Sequence, residues 1–139
     1  TAALGVPIVP AVSREALSAL SEVGLEHRAQ EPAATLSHGE QRQLEIAMTL
    51  ATRPRILLLD EPLAGMGGEE SARMVELLQK LKHAHAMLLV EHDMDAVFAL
   101  ADRLTVMVNG CVLESGAPEQ IRASAAVQEA YLGTEDAQS

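Results

Sequence analysis

The sequence has few groups that would bind a polyanion or cross-link the chain. Ten lysines and arginines stand against twenty acids, a formal net charge of -10, and no basic patch appears. Binding to nucleic acid through counterion release needs clustered Lys and Arg, so a nucleic-acid surface is not expected. The one cysteine, Cys111, cannot close an internal disulfide, which fits a reducing compartment, and it reads as a small core residue. The apolar stretch around Ile56 lasts only a few residues, far short of the roughly 20 that span a bilayer. No signal-peptide pattern opens the chain, so insertion in a membrane is not expected. The chain starts Thr-Ala-Ala-Leu without a methionine, and a segment of something longer is expected.

The 139 residues, 48% hydrophobic and 22% charged, suit one globular domain with a real core. "SREALSALSEV", Ser13 to Val23, reads as a short amphipathic helix with a serine cap, leucines at Leu17 and Leu20, and Gly24 as its stop. "EHRAQEPAATL" reads as a polar connector. In "SHGEQRQLEIAMTLATRP", Ser37 and Glu40 have the spacing of a capping box, and Leu44, Ala47, Met48 and Ala51 recur at helical intervals up to Pro54. Ile56 to Leu59 and Met87 to Val90 read as strands buried on both faces of a parallel sheet, joined by a helix bearing Met74, Leu77, Leu78 and Leu81. "DMDAVFALAD" reads as a helix and "RLTVMV" as a strand. Asn109-Gly110 signals a hairpin turn into "CVLES". Pro118 opens one or two short C-terminal helices, and "TEDAQS" is expected to fray. This alternation is the grammar of an α/β layer. The methionines are expected in the core, with Met66, in the stretch "AGMG", the exception to watch, and His27, His83 and His85 at the solvated surface.

The chemistry gathers at strand ends, where ligands bind in such sheets. "ILLLDEP" drives four aliphatic residues into Asp60 and Glu61, adjacent acids that repel each other and resist burial unless a positive partner faces them. A carboxylate held at a strand tip could orient Mg2+ or its water through Asp60, while Glu61 polarises an attacking water. Phosphoryl transfer asks for little beyond such positioning and charge stabilisation. On the next strand Glu91, His92 and Asp93 follow Val90, and His92 could contact a transferring phosphate. The plain alternative is two acids capping a loop and a solvated histidine. "LSHGEQ" offers a second anion site, because a helix start presents unpaired N–H groups and the positive end of the dipole. A simple capped helix would also explain Ser37 and Glu40, and one hydroxyl has to serve both cap and ligand.

The order "LSHGEQ", "ILLLDEP", "VEHD" resembles the nucleotide-binding subunit of ATP-binding cassette (ABC) transporters, from about Ser13 to Gly133. "LSHGEQRQLEIA" is similar to the ABC signature, "ILLLDE" to Walker B, "AGMG" to the D-loop and "VEHD" to the switch histidine. The wording of "RQLEIAMTLATRPRILLLDEPLAGM", "LLVEHDM" and "GAPEQIRASAAVQEAYLG" is similar to the branched-chain amino acid importers and their urea-importer relatives. The resemblance implies an α/β fold, the C-terminal part of an ABC-type P-loop ATPase domain, with parallel core strands, flanking helices and part of the helical subdomain. Residues 1–53 would hold the helical part and signature, 54–116 the ATPase core, and 117–139 the C-terminal helices and tail. It further implies ATP and Mg2+ as ligands, with Asp60 organising the metal, Glu61 as general base and His92 on the γ-phosphate. Ser37, His38, Gly39 and Glu40 would close over ATP held by a second ATP-binding subunit, identical or not, in a head-to-tail dimer. Membrane permease subunits would be the other partners, placing the protein in the cytoplasm against the inner face of the cell membrane.

The sequence departs from that pattern in places. His38 stands where the commonest signature has glycine, Glu40 where glutamine is frequent, and Gly67 where most D-loops carry aspartate. Only two lysines occur, Lys80 and Lys82, and neither follows a glycine, so the phosphate cradle G-x-x-x-x-G-K-[ST] is not in these residues. The expectation is an importer ATPase subunit whose present chain alone binds ATP poorly. The competing reading is a non-hydrolysing docking module. A DNA-repair ATPase would show heptad arms or basic stretches, which are absent. An export cassette shares the "DEP" and "AG" style and differs mainly in its final helix.

Overall fold

The computed structural model describes residues 10–135, and side-chain surroundings over 14–131. The chain forms two compact units, one ending at Glu91 and one beginning at His92. In the first, α1 (Pro10–Glu22) precedes 3-10 turns at Glu26–Arg28 and Ala33–Thr35, then α2 (His38–Leu50), β1 (Ile56–Asp60), α3 (Gly68–Leu81) and β2 (Ala86–Val90).

Helix α1 begins three residues before the expected serine cap, so Ser13 lies inside it; Pro10 suits a first turn, where its missing N–H costs nothing. Gly24 ends it as expected, at φ 77. The Leu25 N–H reaches back to the Leu20 carbonyl (2.8 Å) and the Gly24 N–H to that of Ser21 (3.1 Å), a Schellman closure that buries Leu25. Helix α1 buries Ala19, and Val23 just past its end is buried too, while Leu17 is exposed. Helix α2 starts and ends as its caps predict, but it buries Ile46, Ala47 and Leu50 and leaves Met48 65% exposed. The spacing of Leu44 and Met48 is helical as well, and only the packing of α2 against α1 and α3 selects the stripe that is covered. The expected face of α3 is buried at all four positions, Met74, Leu77, Leu78 and Leu81.

Strands β1 and β2 pair in parallel, Ile56 opposite Ala86 through Asp60 opposite Val90. They are not buried on both faces. Leu57 is fully covered, but Ile56, Leu58 (71% exposed), Leu88 (62%) and Val90 line an uncovered face that also carries Asp60. Side chains alternate across a strand, so one apolar run can supply a buried and a bare face at once. His85, expected in solvent, is largely covered and sits 3.6 Å from Glu22 at the end of α1.

In the second unit, α4 (Met94–Leu100) leads to β3 (Leu104–Val108), β4 (Cys111–Gly116), α5 (Pro118–Ala123) and α6 (Ala125–Glu135). The third strand does not extend the parallel layer: β3 pairs antiparallel with β4 in a separate two-stranded sheet. Asn109 (φ 50) and Gly110 (φ 78) supply the two left-handed residues of the hairpin turn read from the sequence. Leu104, Ile121 and Val127 form the core of this unit, with Val97, Phe98, Ala101 and Val106 packed on it. The Arg122 guanidinium lies 4.4 Å from the centre of the Phe98 ring. Cys111 is exposed at the start of β4, and Met107 is exposed on β3, so neither is the core residue expected. Of the tail, Thr134 and Glu135 close α6, and 136–139 lie outside the described residues.

Two substitutions in this chain check the asymmetry of the first unit by urea denaturation. Leu78→Ala is expected to cost about 2–5 kcal/mol, as for a buried leucine left as a cavity. Leu88→Ala on the bare face is expected to stay within about 0.5 kcal/mol.

Candidate functional site

At the tip of β1 the backbone turns sharply. The Glu61 N–H donates to the Val90 carbonyl (2.8 Å), carrying the ladder one residue past Asp60. Glu61 then adopts φ 44, a left-handed conformation rare for a side-chain-bearing residue and further disfavoured before a proline. Such a conformation costs about 1–3 kcal/mol and persists only where surrounding contacts hold it. Those contacts are visible: Pro62 and Leu63 are buried, the Ala64 N–H returns to the Glu61 carbonyl (3.1 Å), and the Leu63 N–H donates to Glu91 Oε1 (2.9 Å). Glu91 therefore reaches from the end of β2 to fasten the loop that follows Glu61. The sequence placed Glu91 at a strand end but gave no sign of this anchoring role, because the partner is a backbone amide. Asp60 and Glu61 are both exposed at this tip.

The second cluster is the start of α2. Ser37 is its N-cap: its Oγ accepts from the Glu40 N–H (3.3 Å), while Glu40 Oε2 accepts from the Ser37 N–H (2.8 Å). The capping box is thus complete, and a hydroxyl that accepts through a lone pair still has its own proton to donate. Arg28, from the first 3-10 turn, brings Nε to 3.3 Å from Glu40 Oε1. That nitrogen is not aligned for a hydrogen bond, so the contact is an ion pair. The Ser37 N–H above all, opposed by partial burial and aided by the Arg28 charge, the Ser37 hydroxyl and His27, holds the Glu40 carboxyl below its ordinary value.

Neighbouring elements crowd the same helix start. A Cβ added at Gly39 would lie 3.2 Å from Glu70 Oε1 on α3, so the missing side chain makes room for that carboxylate. Gly65, at φ 75 in the loop after β1, lies beside His38, whose ring would be 3.5 Å from a Cβ built there. The signature-like and D-loop-like segments thus meet within the first unit. A cleft of about 560 Å³ opens beside Ser37, Gly39 and Glu40, with Arg28 and Gln43 on one side and Glu70 and Arg73 on the other.

Ser37, His38, Gly39 and Glu40 are therefore gathered at one helix start, and Asp60 and Glu61 at one strand tip. His92 is exposed and is the first residue of the second unit. Asp93, grouped with it in the sequence, is the N-cap of α4, accepting from the Ala96 N–H (3.1 Å). Among the described residues no three His, Cys, Asp or Glu side chains form a metal cluster.

Comparisons with known proteins point to one family. The family model described as "ABC transporter" matches residues 8–64, and that for "Branched-chain amino acid ATP-binding cassette transporter" matches residues 111–137. The chain is 47% identical over 116 residues to the high-affinity branched-chain amino acid transport ATP-binding protein BraF of Pseudomonas aeruginosa. The chain belongs to the ABC transporter ATP-binding family. Its match to BraF covers 82% of this chain and 46% of the relative, so the chain spans about half the length of the curated relatives it matches. LivG of Escherichia coli K12, of the same description, is 44% identical with the same coverage. Among solved structures, the ADP conformation of MJ1267, an ATP-binding cassette of an ABC transporter, superposes with a TM-score of 0.82 at 27% identity. It is covered over 54% of its length by 94% of this chain. Within the family the α/β fold is that of a partial P-loop ATPase domain.

The lowered carboxyl of Glu40 fixes a pH dependence. Its contribution to the α2 cap is fully present above the ordinary carboxylate range and is lost as pH falls through the lowered value. Acid titration followed by circular dichroism is expected to show that Glu40→Gln, which keeps the cap acceptor without the charge, removes this acid-dependent component.

Proposed function

We propose that this chain is the C-terminal part of the ATP-hydrolysing subunit of an ABC importer, with branched-chain amino acids or a related solute such as urea as cargo. The strongest support is the tip of β1, where Asp60 and a left-handed Glu61 stand exposed on a turn held by Val90 and Glu91. The importer branch is favoured by the match over residues 111–137, from β4 to α6. Relatives described as aliphatic sulfonate importers are also similar, at 43% identity over 113 residues. The branched-chain model's match is what favours amino acid cargo over sulfonates.

The residues fit Mg2+ with ATP. Mg2+ takes one or two carboxylates and completes its shell with water and phosphate oxygens, so the exposed carboxylate of Asp60 could serve as its protein ligand. When bound, Mg2+ would neutralise charge developing on the phosphoryl group. Asp60 would hold the ion through its carboxylate or a water. Glu61 orients the attacking water and receives its proton, since a general base must stand within hydrogen-bond reach of the proton it takes. His92 would contact the γ-phosphate. From a second subunit, the Ser37 hydroxyl and the amides of His38 and Gly39 donate to the nucleotide, as the start of a helix is disposed to do. Closure of the two subunits is passed to membrane permease subunits, which keeps the protein peripheral on the cytoplasmic face.

The alternative reading is a docking module that does not hydrolyse ATP. The readings separate by experiment. In a complete cassette, Glu61→Gln is expected to lower phosphate release by about 10²-fold or more while ATP-bound dimer accumulates on size exclusion. Hydrolysis that survives this substitution would remove Glu61 as the base. The isolated chain is expected to show negligible magnesium-dependent turnover; if the complete protein is equally inert, the docking module is the better account.

A further inference from the structure

A carboxylate at the start of a helix that is to receive a phosphate poses an electrostatic problem. Glu40 is the third residue of α2 and its Oε2 already occupies the Ser37 N–H. Its negative charge stabilises the helix through the dipole but repels any anion approaching the same amides. One cation meets Glu40 directly. Arg28 places Nε 3.3 Å from its second oxygen, and the same guanidinium bonds Glu31 Oε1 through Nη1 at 3.1 Å. Arg28 itself is fixed by its position, in a 3-10 turn whose Arg28 N–H is bound to the carbonyl of buried Leu25, and its side chain is only 26% exposed. It is therefore held in place by α1 and the turn behind it rather than swinging freely from the surface.

We propose that Arg28 is a positioning residue for the nucleotide contact: it neutralises Glu40, so that the capping box can hold Ser37 and Gly39 in place without repelling the phosphate that a second subunit presents. This rests on the reading of α2 as the signature helix. The division of labour is specific. Glu40 provides the geometry of the helix start, through two hydrogen bonds with Ser37. Arg28 provides charge compensation. The geometry needs an acceptor oxygen at position 40 but not a charge, so a glutamine there should make Arg28 dispensable, whereas an Arg28 that merely braced the fold would be needed with either residue.

The test uses a complete cassette with Glu61→Gln as parent, and measures the ATP concentration that gives half-maximal dimer. Arg28→Gln is expected to raise it about threefold to fivefold, the range of a partly exposed ion pair. Adding Glu40→Gln to that variant is expected to bring it back within about twofold of the parent, while Arg28→Lys, which keeps the charge, stays near the parent. An unchanged requirement in Arg28→Gln, or a double variant as impaired as the single one, would overturn the proposal. If Arg28→Gln does not fold by circular dichroism, Glu40→Gln alone decides: a requirement at or below that of the parent supports charge compensation, and a higher one refutes it. A parent that forms no dimer with ATP would remove the signature reading itself, and this inference with it.

Discussion

The hydrogen bonds that carry the β1–β2 ladder one residue past Asp60 constrain what the end of that strand can do. A parallel pair in register fixes where both strands stop, and the Glu61 N–H on the Val90 carbonyl makes Glu61 the last residue held by the ladder. Because its φ is then reversed, the chain leaves the sheet abruptly and the two acids do not continue the pleat side by side. Two adjacent carboxylates on a regular strand would simply alternate faces. Here one ends the strand and the other sits on a strained turn, which separates the two carboxylates in direction. Glu91 makes this stable, since without an acceptor for the Leu63 amide the turn would leave a partly buried donor unmatched.

Features set by near neighbours in sequence were legible in advance. The Ser37–Glu40 box, the Gly24 stop, the Asn109-Gly110 turn and the face of α3 all depend on residues a few positions apart, and each formed as the local chemistry requires. Features set by what lies across space were not. Leu44 and Met48 recur at the same interval as Ile46 and Leu50, and only packing distinguishes them. Cys111 and Met107 were expected inside because their types favour cores, and they stand on exposed hairpin positions. His85 looked like a surface residue because its partner, Glu22, is far away in the chain. Among the candidate site residues, Asp60, Glu61 and those of α2 follow a motif and a spacing, whereas Glu91 and Arg28 contact partners distant in the chain and left no local pattern.

The start of α2 answers a question the sequence left open, whether one serine can cap a helix and also serve a ligand. Capping uses a lone pair of Ser37 Oγ, and the hydroxyl proton is a separate resource. The Glu40 carboxylate, by taking the Ser37 N–H, fixes the direction from which that serine is presented. Local stability and readiness for an anion are then compatible on one condition, that the charge introduced by Glu40 is balanced. The crowding of Glu70 against Gly39 adds a second carboxylate to the same region, which sharpens the need for the arginines lining the cleft.

The bare face of the β1–β2 pair bears on how the strand-tip residues would be used. Parallel strands are ordinarily covered on both sides, and a two-stranded sheet with one apolar face in water is marginal by itself. Asp60 lies on that face in line with Ile56 and Leu58, so whatever covers the aliphatic positions also shapes the surroundings of the carboxylate. Covering the face would bury Leu58 and Leu88 and lower the local dielectric around Asp60, which strengthens its attraction for a cation while raising the cost of leaving it unpaired. On the reading of this chain as part of a longer cassette, the stability of the core and the affinity of the metal position are therefore coupled through one surface. Folding of the remaining core against Ile56, Leu58 and Leu88 and the arrival of a cation at Asp60 would then each favour the other.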